Sequence, residues 1–82
     1  MRLPRDLSGR DLAKALGRLG YQTTHQTSSH LRLTTRQNGE HHVTVPDHNP
    51  IRVGTLAGVL ADVAQHHNLT RDRLIQLLFS RK

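Results

Sequence analysis

The stretch "HLRLTTRQNGEHHVTVP", residues 30–46, decides the fold. Both of its ends alternate with a period of two. Leu31 and Leu33 point one way and His30, Arg32 and Thr34 the other; His41, Val43 and Val45 oppose His42 and Thr44. Successive side chains of a β-strand face opposite ways, so each end reads as a strand with one apolar face. Loop parity then fixes the pairing. Directly opposed residues in an antiparallel pair share a face, so the leucines meet the valines only across a loop with an odd number of residues. A three-residue loop, Gln37-Asn38-Gly39 with Gly39 left-handed, satisfies this; a two-residue Asn38-Gly39 turn would put the two apolar sets on opposite faces unless a bulge intervened. The predicted register sets Leu33 opposite Val43, Arg32 opposite Thr44 and His30 beside Pro46, where the strand ends.

Upstream, "YQTTHQT" (21–27) reads as a further strand on propensity alone, since it is weakly hydrophobic. Residues 8–20 predict a helix: Ser8 caps it, Asp11 suits its first turn, Leu12, Leu16 and Leu19 form one stripe, and Gly20 follows. Downstream, "DHNPIRV" (47–53) is a loop. A helix is predicted from about Thr55 to His66, with Leu56, Val59, Leu60 and Val63 as its stripe and Asn68 ending it. Another follows over 70–79, with Thr70 as cap and Leu74, Leu77 and Leu78 as stripe. The order α-β-β-β-α-α is an α+β fold, a three-stranded antiparallel sheet. Helices on both sides of the sheet in sequence must cover the same face, because 82 residues build one modest core and one domain, spanning 1–82. The other face is left to water, carrying His30, Arg32, Thr34, His42 and Thr44.

Twelve Lys and Arg against six Asp and Glu give a formal net charge of +6, and ten of the twelve are Arg, whose planar fork matches phosphate. A small basic domain favours a polyanionic partner, usually nucleic acid. Tyr21 and Phe79 are the only aromatic residues, which argues against recognition by base stacking. With no cysteine, disulfides and thiolate metal sites are excluded. No apolar run approaches the roughly 20 residues of a membrane span, and the first residues lack the apolar stretch of a signal peptide. A cytoplasmic protein is expected.

His30, Arg32 and His42 on one exposed face invite a chemical reading. Imidazole titrates near neutrality and both removes and returns protons. RNA supplies its own nucleophile in the 2′-hydroxyl, so a positioned histidine cleaves the chain without a metal, while a neighbouring arginine holds the phosphate. Metal binding is the competing use of histidine. His41 and His42 are adjacent on a strand and point apart, His66-His67 close a helix, and no His pair has ligand spacing, so no metal site and no small-molecule cofactor are expected. A Ser-His-Asp hydrolase lacks its nucleophile elbow.

Three segments carry a resemblance to a known family: the helix ending in "LGY" (19–21), the turn and histidine of "SSHLRL" (28–33), and "VTVPDHNPIRVGTLAGVL" (43–60). The chain resembles HicA, the toxin of HicBA toxin–antitoxin pairs, also described as YcfA-like mRNA interferases, over roughly residues 7–65. The resemblance implies a fold like that of double-stranded-RNA-binding domains, ribonuclease activity on mRNA, and a HicB-type antitoxin that covers the toxin and hides its histidine. The essential histidine of the family's Gly-Ser-His maps to His30, and the motif serine to Ser29. Ser28 stands where the family has glycine, an uncommon and mildly costly exchange if the position needs a positive φ. His48 also matches a family position, with no catalytic role carried to it.

The expected function is therefore a toxin that cleaves mRNA. His30 is the catalytic residue, and Ser29, Arg32, His42 and Thr44 bind substrate. Lys14, Arg18, Arg36 and Arg52 are further candidates for backbone contacts, and His42, His25 and water all remain open as the proton donor to the leaving oxygen. The rivals are a non-catalytic RNA- or DNA-binding module of the same architecture, and an interaction partner that no longer cleaves.

Overall fold

A computed structural model describes residues 6–79. The ends of the expected 1–82 domain lie outside them. Helix α1 (Gly9–Leu16) starts on Ser8, whose hydroxyl accepts from the Asp11 amide at 3.0 Å while the Asp11 carboxylate accepts from the Ser8 amide at 3.4 Å. This reciprocal box satisfies two of the amides a helix start leaves open. The expected single helix to residue 20 instead tightens into a 3₁₀ turn over Gly17–Leu19, and Gly20 closes it at φ +82°.

Strands β1 (Gln22–Gln26), β2 (His30–Thr35) and β3 (His41–Pro46) form an antiparallel sheet in that order. The β2–β3 register is the one parity requires: Leu33 opposes Val43, Arg32 opposes Thr44, and His30 opposes Pro46. The turn differs in two respects. Pairing stops at Thr35 and His41, so residues 36–40 form the turn where a three-residue loop was expected, and two of them are in the left-handed region, Asn38 (φ +58°) and Gly39 (φ +96°), where one was expected. Asparagine is among the few residues that adopt this conformation readily. Strand β1 is exposed along its length and has a bulge between Thr23 and His25, in keeping with its low hydrophobicity.

Helix α2 (Val53–His66) begins two residues before the predicted Thr55. Buried Ile51 anchors the chain just ahead of it, and Arg52 caps it in extended conformation with no side-chain hydrogen bond, so no capping signal marked the start. Asn68, at φ +55°, ends it. Helix α3 (Arg71–Phe79) is capped by Thr70, whose hydroxyl accepts from the Arg73 amide at 3.1 Å. Its buried stripe is Leu74, Ile75 and Leu78; Leu77, expected inside, is only half-buried. All three helices share one core with the inward face of the sheet, including Leu12, Leu16, Leu33, Val45, Leu56, Leu60 and Leu74. Each such side chain contributes about 1.5–3 kcal/mol by leaving water. The opposite face stays open. Among the described residues no helix is long and apolar enough to cross a membrane.

Candidate active site

His30 is exposed and opens β2. The turn before it is built from hydroxyls. Thr27 Oγ1 accepts from the amides of Ser29 (3.4 Å) and His30 (3.1 Å), and the Thr27 amide donates back to the His30 carbonyl at 2.9 Å. Ser28 is not among the residues with positive φ, so serine sits in the glycine position without backbone strain. Ser29 Oγ shares a 3.0 Å hydrogen bond with His30 Nδ1, which leaves Nε2 as the outward nitrogen.

Across from His30 lies the segment between β3 and α2. Five hydrogen bonds pin it to distant parts of the chain. The Asp47 amide donates to the Ser29 carbonyl at 2.8 Å, and the Asp47 carboxylate accepts from Arg10 Nε and Nη2 at 3.2 and 3.1 Å. The Gly9 amide donates to the His48 carbonyl at 2.9 Å, and the Ile51 amide to the Leu7 carbonyl at 2.9 Å. The result is an open pocket of ≈ 490 Å³ lined by His30, Thr44, Pro46, His48, Arg52 and Thr55. Of the predicted site residues, the structure brings Thr44 into this pocket with His30.

Arg32 and His42 line a neighbouring shallow trough on the same sheet face, with Thr24, His25, Thr34 and Arg36. His42 is held on both sides, Nδ1 by Thr34 Oγ1 at 2.7 Å and Nε2 by Glu40 at 3.0 Å. Among the described residues, the guanidinium groups of Arg32 and Arg52 have neither an ion-pair partner nor a side-chain hydrogen bond, so their donors face solvent. Lys14 lies elsewhere, by Arg10 and Tyr21. Arg18 donates to the Leu77 carbonyl at 3.0 Å. The sequence reading left His48 and Thr55 without a site role, and treated Arg52 only as a backbone contact. The pairing of His30 with Pro46 was the available signal, since whatever follows Pro46 must leave the sheet beside that histidine.

Three more histidines form a separate cluster where α2 meets the β2–β3 turn. The His41 and His66 rings stack at 4.3 Å and 9°, and His67 stands edge-on to His66 at 4.8 Å. A hydrogen-bond chain runs through them in one direction. Asn38 Nδ2 donates to His67 Nδ1 (3.2 Å), His67 Nε2 to Tyr21 Oη (3.2 Å), Tyr21 Oη to His41 Nδ1 (2.7 Å), and His41 Nε2 to Asp62 (3.2 Å). His66 Nε2 donates to the Gln37 and Gly39 carbonyls, each at 3.0 Å. Burial, then neighbouring His66 and His41, hold the His67 imidazole below the ordinary 6.5. Burial and the Asp62 charge push the Tyr21 phenol up to about 12. Among the described residues no group of three or more His, Cys, Asp or Glu side chains is placed to hold a metal.

Comparison with known proteins gives one family match: the family described as HicA toxin of bacterial toxin-antitoxin matches residues 9–64. No curated protein and no solved structure matches the chain.

Proposed function

The chain belongs to the HicA toxin family, and from that premise we propose that it is the toxin of a type II toxin–antitoxin pair, a cytoplasmic single-domain endoribonuclease that cleaves mRNA with no metal requirement. His30 is the catalytic residue. Its Nε2 takes the proton of a ribose 2′-hydroxyl, and the 2′-oxygen attacks the adjacent phosphorus. Ser29 orients the ring through Nδ1. Arg52, inside the pocket, holds the phosphate as its charge grows, while Arg32, His42 and Thr44 position the RNA strand along the open sheet face. The partner is a HicB-type antitoxin, whose acidic surface would meet the +6 toxin quickly and in a salt-dependent manner.

The observation that carries this reading is the exposed imidazole at the head of β2, fixed at Nδ1 and facing a pocket lined by a guanidinium that has no ion-pair partner among the described residues. A general base in such a place contributes about 10²- to 10⁴-fold. Purified protein and its His30→Ala variant are incubated with RNA in EDTA. The wild type should cleave, and the variant should be slower by about that factor with its fold unchanged. RNA bound but intact with both proteins would instead indicate a non-catalytic binding module.

A further inference from the structure

Attack by the 2′-oxygen is half of a transesterification. The P–O5′ bond must also break, and the departing 5′-oxygen is a poor leaving group unless it gains a proton. We propose that His48 supplies that proton, so that His30 and His48 form an acid–base pair; this rests on the ribonuclease reading above. His30 removes the 2′-hydroxyl proton, the O2′–P bond forms as P–O5′ breaks, and the His48 imidazolium protonates O5′. The products are a 2′,3′-cyclic phosphate and a 5′-hydroxyl, and water later restores the proton balance between the two rings.

The geometry selects His48 from the six other histidines. His41 and His67 have both ring nitrogens engaged in the cluster beside α2, and His66 donates to two carbonyls there. His42 has both nitrogens engaged and lines the trough. His25 lines that trough too, outside the pocket of His30. His48 alone shares the pocket of His30. It is exposed, and among the described residues its ring makes no hydrogen bond or ion pair. The two histidines are also tied together through their chain neighbours, since the Asp47 amide donates to the Ser29 carbonyl at 2.8 Å. His48 is held by its own main-chain carbonyl, bonded to Gly9, so replacing its ring leaves that anchor in place. Arg52 lines the same pocket, at hand for the phosphate between the two rings.

The test separates acid from base by the leaving group. An oligoribonucleotide is compared with the same molecule carrying sulfur in place of the bridging 5′-oxygen at the cleaved linkage, since a thiolate departs without a proton. His48→Ala should slow cleavage of the all-oxygen strand by about 10²- to 10⁴-fold yet cleave the sulfur-bridged strand within about threefold of wild type. His30→Ala should be slow on both. In the unmodified protein, the fall in rate at alkaline pH should appear with the oxygen strand and vanish with the sulfur strand, which tests the assignment even if the variant folds poorly. Equal impairment of His48→Ala on both strands, or none on either, overturns the role of His48 alone. Absence of cleavage by the wild type, or undiminished cleavage by His30→Ala, overturns the ribonuclease reading and the pair with it.

Discussion

Between Ser29 Oγ and His30 Nδ1 lies a single 3.0 Å hydrogen bond, and it determines which nitrogen of the ring meets the pocket. Imidazole has two nitrogens, and the one not engaged is the one free to exchange protons. Without the hydroxyl, the ring still stands at the head of β2, because Thr27 fixes the His30 amide independently at 3.1 Å. Ser29→Ala should therefore leave the fold intact and lower kcat with little change in KM. A neutral hydrogen bond is worth about 0.5–1.5 kcal/mol net, which corresponds to a rate loss of roughly two- to tenfold. Single-turnover cleavage assays measure it. A loss as large as that of His30→Ala would mean that Ser29 does more than orient. The serine at position 28 needs no such compensation, since that turn has no positive φ to accommodate.

At the scale of elements, the site depends on how α1 meets the segment after β3. Gly9 opens α1, and a Cβ there would fall on the Pro46 carbonyl oxygen. The close approach lets the Gly9 amide reach the His48 carbonyl at 2.9 Å. Gly9→Val should cost about 1–3 kcal/mol, the usual penalty for overfilling a packed contact, seen as a lower urea midpoint. It should also reduce RNA cleavage at temperatures where the variant remains folded, because the displaced segment carries His48 and Arg52. Full activity in a destabilised variant would show that the placement of this segment is not critical. The same dependence explains what could be read from sequence. The β2–β3 register was legible because alternation and loop parity are local properties of residues 30–46, and the α1 cap because Ser8 and Asp11 stand three apart. Strand alternation put His30 on the open face with Arg32 and His42, and only the resemblance of its turn to the family's Gly-Ser-His set it apart as the catalytic candidate. The same register placed the segment after Pro46 beside His30, but not which of its residues share the pocket: the company of His48, Arg52 and Thr55 arises from bonds between Asp47 and Ser29, His48 and Gly9, and Ile51 and Leu7, which leave no pattern in the chain. Likewise Arg52 bears no capping side chain to announce α2.

Over the whole molecule, the histidine cluster joins layers that hydrophobic packing alone would leave less firmly aligned. Tyr21 precedes β1, Asn38 is in the β2–β3 turn, His41 starts β3, and Asp62, His66 and His67 lie on α2 or at its end. Every donor in the chain from Asn38 to Asp62 finds an acceptor when the His67 imidazole is neutral and the Tyr21 phenol is protonated. The environments of His67 and Tyr21 favour those states. His67 is 8% exposed, and its folded-state imidazole lies below 6.5. As pH falls through 6.5 the unfolded chain takes up a proton there that the folded chain refuses, so stability drops. Tyr21 acts in the opposite range. Unfolded phenol ionises near 10 and folded phenol at about 12, so stability drops again as pH rises above 10. Stability from the cluster should thus be highest between these limits. His67→Gln keeps hydrogen-bonding capacity and loses the titration. Urea midpoints measured at pH 7.5 and pH 5 should fall with acidification in the wild type and fall less in the variant, with the two proteins converging toward low pH. Because His67 is remote from the pocket of His30, RNA cleavage at pH 7.5 should be the same in both. Parallel pH dependences for the two proteins would show that His67 remains as easily protonated in the fold as in the open chain, and that the cluster holds its layers together irrespective of charge.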